Sequence, residues 1–104
     1  MMRAFTAAAV QLAPVPGPLT AQGVAANLEA MVDVTQRCRA ATGAELIVLP
    51  ESATTGFTPG CPTEQLWGLV SELPGPVIEP LRAVAAELGI HLVAGTYERG
   101  PTPE

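Results

Sequence analysis

The sequence predicts an α/β fold with a mostly parallel sheet, run in the order β-α-β-(short α)-α-β. Three observations lead there. Ala4–Leu12, Leu46–Leu49 and Ile90–Tyr97 are short and dense in apolar residues, as strands are. The first two flank a segment whose apolar residues recur at spacings of three and four, the helical period. That segment is long enough to cross over, so the strands it joins run parallel in a right-handed βαβ unit.

Taken in order, Ala4–Leu12 lacks clean alternation and reads as a strand buried on both faces, although Ala7, Ala8 and Ala9 are weak strand formers. The proline-rich stretch at 13–18 cannot continue a ladder and leaves the sheet as a stiff loop. A helix follows from Thr20 or Gln22 to Thr42. Val24, Leu28, Met31, Val32, Thr35 and Cys38 form its apolar stripe, and Asp33 and Arg37 are spaced as a surface ion pair. Arg37 and Arg39 suit the negative end of the helix dipole, and Gly43 is a natural residue just past that end. Leu46–Leu49 is the second strand. Pro62-Thr63 opens a short helix with Leu66, Leu69, Val70 and Leu73 on one face, and Trp67 beside that stripe reads as packing. A last helix begins near Ile78, because Pro80 is tolerated only in a first turn. It directs Val77, Leu81, Val84, Ala85 and Leu88 inward and ends at Gly89. Ile90–Tyr97 is the third strand. Three strands with these helices leave sheet edges, and as much as a whole face, uncovered.

A chain of 104 residues is one domain or less. With 48% hydrophobic residues, 14% charged residues and a net charge of -5, it has the composition of a globular protein. Its only cations are Arg3, Arg37, Arg39, Arg82 and Arg99, which offer no basic patch for nucleic acid or an anionic membrane. There is no lysine. No apolar run reaches the length of a membrane span. Arg3 and the residues after it imitate a short signal peptide, but Thr6 and Gln11 interrupt the run, so a cytoplasmic location is expected. Cys38 and Cys61 are too few for a metal site or a disulfide framework, and read as a small buried hydrophobe and a loop thiol. The first strand-to-helix turn carries neither GxGxxG nor a Walker pattern, so no nucleotide is expected, and no cofactor or metal either.

Chemistry concentrates at residues 44–57, AELIVLPESATTGF. A buried strand stops at Pro50 and delivers Glu51 to the carboxyl edge of the sheet, where open α/β sheets bind ligands. The turn from Ser52 to Gly56 is small and rich in hydroxyls, which lets a substrate or another backbone come close. Partial desolvation at an apolar mouth would favour the neutral carboxyl, and that makes a Glu a useful general base. Cys61, ten residues on, sits between Gly60 and Pro62 with no cation or helix N-terminus to hold a thiolate, and is not assigned as a nucleophile. His91, the only histidine, reads as an edge or sheet-face residue and not as a base.

The chain resembles the amino-terminal part of the nitrilase superfamily, the carbon–nitrogen hydrolases. The matching pieces are AAVQLAP at 8–14, NLEAM at 27–31, GAELIVLPESATTGF at 43–57 and LPGPVIEPLRAVAAELGIHLVAGTYER at 73–99. The LPE-x4-GF element is the most specific of them. The resemblance implies an α-β-β-α sandwich and a glutamate–lysine–cysteine triad that hydrolyses non-peptide C–N bonds. Glu51 matches the glutamate, the general base and proton acceptor for the cysteine thiol. Phe57 falls where the pocket wall begins. In the family the lysine and the nucleophilic cysteine lie beyond the third strand, so Glu51 is the one triad member these residues supply.

Residues 1–104 are therefore expected to be the amino-terminal, incomplete part of a single carbon–nitrogen hydrolase domain. The resemblance implies a small-molecule amide or nitrile as substrate of the full-length form, and a homo-oligomer for the complete domain. The alternatives are a catalytically inactive remnant that associates with relatives of the same family, and a small self-sufficient binding module.

Overall fold

Three short strands, β1 (Ala7–Ala9), β2 (Leu46–Val48) and β3 (His91–Val93), form one parallel sheet in the order β1-β2-β3. The computed structural model describes residues 3–13, 20–56, 61–70, 72–73 and 75–101. The proline-rich stretch beyond Ala13 lies outside them. Helix α1 (Ala21–Thr42) crosses from β1 to β2, and α2 (Thr63–Trp67) and α3 (Glu79–Leu88) lie between β2 and β3. Sequential strand order with crossovers of one hand puts α1 and α3 on the same face of the sheet, and the two helices pack on each other.

Local sequence explains the helix limits. Thr20 caps α1 by accepting the Gly23 amide on its hydroxyl at 3.0 Å. Gly43, at φ 68°, closes it in the left-handed conformation and donates its N–H to the Arg39 carbonyl at 2.9 Å. The Arg39 guanidinium caps the end further, donating to the carbonyls of Gly43 and Ala44. Asp33 and Arg37 pair at 2.9 Å, as their spacing predicts. Helix α3 carries Pro80 in its first turn and ends at Gly89, φ 63°. Helix α2 is shorter than expected. It stops at Gly68, so Leu73 is exposed instead of sharing its face.

The core lies between the sheet and the α1/α3 layer. Met31, Ala44, Ile47, Leu49, Ala53, Leu81 and Ile90 form it, with Ile47 and Met31 fully buried. The strand alternation decides which side chains enter. Ala8, Ile47 and Leu92 lie in register and face the helices. Ala9, Val48 and Val93 form the next row, on the opposite face, and all three are exposed.

That second face corrects the reading of Ala4–Leu12 as a strand buried on both sides. With helices on one face only, Ala7 and Ala9 are exposed, while Ala8, Val10 and Leu12 are half-buried against the core. Regular pairing is also shorter than the apolar run, although ladder bonds continue just outside it. The Glu45 amide donates to the Thr6 carbonyl, and Val10 donates to Val48, each at 2.9 Å. The third strand is likewise shorter than Ile90–Tyr97: the Ile90 amide donates back to Ala85 at the end of α3, and the last rung from β2 is the Leu49 amide on the Val93 carbonyl. Among the described residues, no helix is long and apolar enough to cross a membrane.

At the amino edge of the sheet, the Arg3 guanidinium forks onto the Glu45 carboxylate, with one bond at 3.0 Å and a second to the other oxygen. This hydrogen bonding holds the Glu45 carboxyl below the usual carboxylate range. Burial opposes the shift, and the positive charges of Arg3, Arg39 and His91 add to it.

Two outcomes follow from this frame. Ile47→Ala should cost about 2–5 kcal/mol in urea unfolding, whereas Val93→Thr, one strand over on the open face, should leave the midpoint nearly unchanged. Because the folded-state pKa of Glu45 is lowered, its contribution to stability is present above the ordinary Glu value and is lost as pH falls through the lowered one. Unfolding followed from neutral pH to below about pH 4 should therefore fall less steeply for Glu45→Gln than for the parent.

Candidate active site

At the carboxyl edge, the last rung between β2 and the third strand is the Leu49 amide donating to the Val93 carbonyl at 2.8 Å. Pro50 has no N–H to extend the ladder, so the chain leaves the sheet and Glu51 is the first residue out. A tight turn follows. The amides of Thr55 and Gly56 both donate to the Ser52 carbonyl, at 3.2 and 2.7 Å. Ser52 has φ 54°, the one non-glycine residue with positive φ among those described, and Gly56 has φ 76°.

The turn is seated on two other segments. Ala53 and Thr54 are buried beneath it. The Asn27 side chain, on the buried side of α1, donates from Nδ2 to the Thr54 carbonyl at 3.0 Å. The Thr54 hydroxyl lies 2.8 Å from that of Thr96, on the segment that follows β3. One residue earlier, Gly95 passes so close that a methyl group there would sit 3.3 Å from the Glu51 Cα and 3.5 Å from the Ser52 amide nitrogen. Glycine is what permits this approach.

Glu51 itself is exposed. The apolar mouth expected to desolvate it is absent among the described residues, because the core packs beneath the turn and not over it. What the arrangement offers is a carboxylate at the carboxyl edge on a firmly anchored backbone, which suits a proton acceptor. Phe57, the expected pocket wall, lies outside the described residues.

The remaining candidates do not gather around Glu51. Helix α2 begins two residues after Cys61, where Pro62-Thr63 is expected to open it, yet the Cys61 thiol turns to the Pro62 carbonyl at 3.6 Å. Cys38 is part-buried on α1 and packs against the core. His91 is exposed at the opposite end of the sheet, in register with Leu46. Trp67 packs as expected, but its partner is a cation. The Arg99 guanidinium lies 5.4 Å from the ring centroid and donates to the Trp67 carbonyl at 2.7 Å. Among the described residues, no three His, Cys, Asp or Glu side chains come together as a metal site.

The model of the carbon-nitrogen hydrolase family matches residues 6–104 of this chain. The chain belongs to the carbon–nitrogen hydrolase family. Comparison with curated proteins gave no match. Membership of the nitrilase superfamily fits the architecture, since one helix layer on one face of an open sheet is what part of an α-β-β-α sandwich looks like. The span of the chain matched by the carbon–nitrogen hydrolase family includes the Glu51 turn and both segments that anchor it.

Sequence reasoning missed Asn27, Gly95 and Thr96. Asn27 had a signal, because it stands three residues after Val24 and four before Met31, a polar residue inside the apolar stripe. Thr96 and Gly95 had none, since their part depends on where the third strand ends. Gly95→Ala should displace the Glu51 and Ser52 backbone resonances and lower stability by about 1–3 kcal/mol through overpacking, measured by amide NMR and urea unfolding.

Proposed function

We propose that this protein serves the hydrolysis of a non-peptide carbon–nitrogen bond, of the amide type in the first instance and of a nitrile in the second, with Glu51 as general base. The observation that carries this reading is the anchored carboxylate at the carboxyl edge of the sheet, inside the span matched by the family model. Glu51 takes the proton of a cysteine thiol as the sulfur attacks the substrate carbon. A lysine stabilises the charge that develops there. The Glu51 carboxyl returns that proton to the departing amine, and water, deprotonated by the regenerated carboxylate, attacks the thioester and releases the acyl group as a carboxylic acid, restoring the thiol. Neither Cys38, packed on α1, nor Cys61, bonded to Pro62, suits the nucleophile's role, and the 104 residues contain no lysine. Residues 1–104 are accordingly read as the amino-terminal part of the hydrolase domain, with lysine and cysteine supplied by further sequence. The open apolar row of Ala9, Val48 and Val93 favours a second reading, an inactive remnant that associates through that face.

Ammonia release from a panel of small amides and nitriles tests these readings. The 104-residue chain should show none. A chain extended through the sequence encoded downstream should turn over an amide, and Glu51→Gln should lower its kcat by about 10²–10⁴-fold. Turnover by the 104-residue chain that is lost on Glu51→Gln would overturn the shared-triad reading. An active extended chain indifferent to Glu51→Gln would remove Glu51 as the base, and an extended chain with no turnover would favour the remnant.

A further inference from the structure

The geometry points to Thr54 and Thr96, with Asn27 behind them, as positioning residues that set where the Glu51 carboxylate stands. The inference rests on the reading of Glu51 as the base and adds to it the groups that aim it. The exposed Glu51 side chain is not enclosed by its neighbours, and no hydrogen bond or ion pair joins it to another described residue. Its position therefore comes from its backbone, and the backbone is held from below. Thr54 is fully buried, and Asn27 is 4% exposed. Asn27 donates to the Thr54 carbonyl at 3.0 Å, and the Thr54 hydroxyl meets Thr96 at 2.8 Å. The Thr96 hydroxyl also lies 3.5 Å from the Tyr97 carbonyl, so a donor direction from Thr54 through Thr96 to Tyr97 satisfies both hydroxyls.

The choice of hydroxyls matters because of their size. Two hydroxyl oxygens at 2.8 Å stand about 1 Å closer than two methyl carbons in contact. The pair thus draws the 51–56 turn onto the segment after β3 more tightly than an apolar contact could. Gly95 shows independently that the segments meet at this closeness, since a methyl group there would lie 3.3 Å from the Glu51 Cα. A displacement of about 1 Å at a catalytic group lowers turnover by about 10²-fold.

Three variants of the full chain, read by NMR alongside urea unfolding, test this. Thr96→Val should displace the Glu51 and Ser52 backbone resonances and change the HN–Hα coupling of Ser52. Thr96→Ser, which keeps the hydroxyl, should leave them at the parent values. The double variant Thr54→Val/Thr96→Val removes both polar partners, so it should regain most of the stability lost in the single variant while the resonances remain displaced. Parent-like Glu51 and Ser52 resonances in the double variant would overturn the proposal. So would displaced resonances in Thr96→Ser, or failure of both valine variants to fold beside a parent-like Thr96→Ser, which would make the pair a stability element only. These resonances report geometry and not turnover, so the result is separable from the Glu51→Gln test. In an extended, active chain the double variant should lower kcat by about 10²-fold with little change in KM.

Discussion

Pairing of β2 on both of its edges is the constraint on which the rest of the structure depends. As the central strand it ties β1 and β3 into one sheet, and Ile47 is the point where that sheet meets the helix layer. Everything at the carboxyl edge is measured from it. The Leu49–Val93 rung fixes the height at which the chain leaves the ladder, Pro50 prevents it from continuing, and Glu51 emerges at a level where α1 and the segment after β3 both reach its turn.

The turn combines a local cost with non-local support. A non-glycine residue held in the left-handed region costs of order 1–3 kcal/mol, and Ser52 is such a residue. Burial of Ala53 and Thr54 and the hydrogen bonds from Asn27 and to Thr96 offset that cost. Stored strain of this kind gathers at functional positions, and here it falls on the neighbour of the proposed base. The amino edge of the sheet is different in kind. Arg3, Glu45 and His91 are charged or titratable groups in solvent, and their interactions are open to screening by salt.

Much of the fold was legible because it is written in periodicity and punctuation. The spacing from Val24 to Cys38 gave α1, and Thr20, Gly43, Pro80 and Gly89 marked helix limits that the structure keeps. Strand extent was less legible. An apolar run reports what can be buried, whereas pairing length depends on partners, and so Ala4–Leu12 and Ile90–Tyr97 both shortened to three residues. The exposure of Ala7 and Ala9 has the same origin, because burial on a second face requires a second layer that no strand carries in its own sequence. At the candidate site, the exit of Glu51 at the carboxyl edge was readable from its position after Pro50. Its anchors were not, since Asn27, Thr54 and Thr96 are far apart in sequence and meet only through the sheet's register.

Parallel pairing has a kinetic consequence as well. Neither β1–β2 nor β2–β3 is a hairpin, so each pairing closes only after an entire crossover has been traversed. Contacts so distant along the chain are slow to form, because the entropy of closing the loop is lost before any contact repays it. The Glu51 turn stands at the end of that order of events. Its anchors come from α1 and from the segment beyond β3, so it cannot be complete until the third strand has docked. A collapsed intermediate with only β1, α1 and β2 in place would lack α3, the element on which α1 packs most, and would still have its carboxylate unaimed.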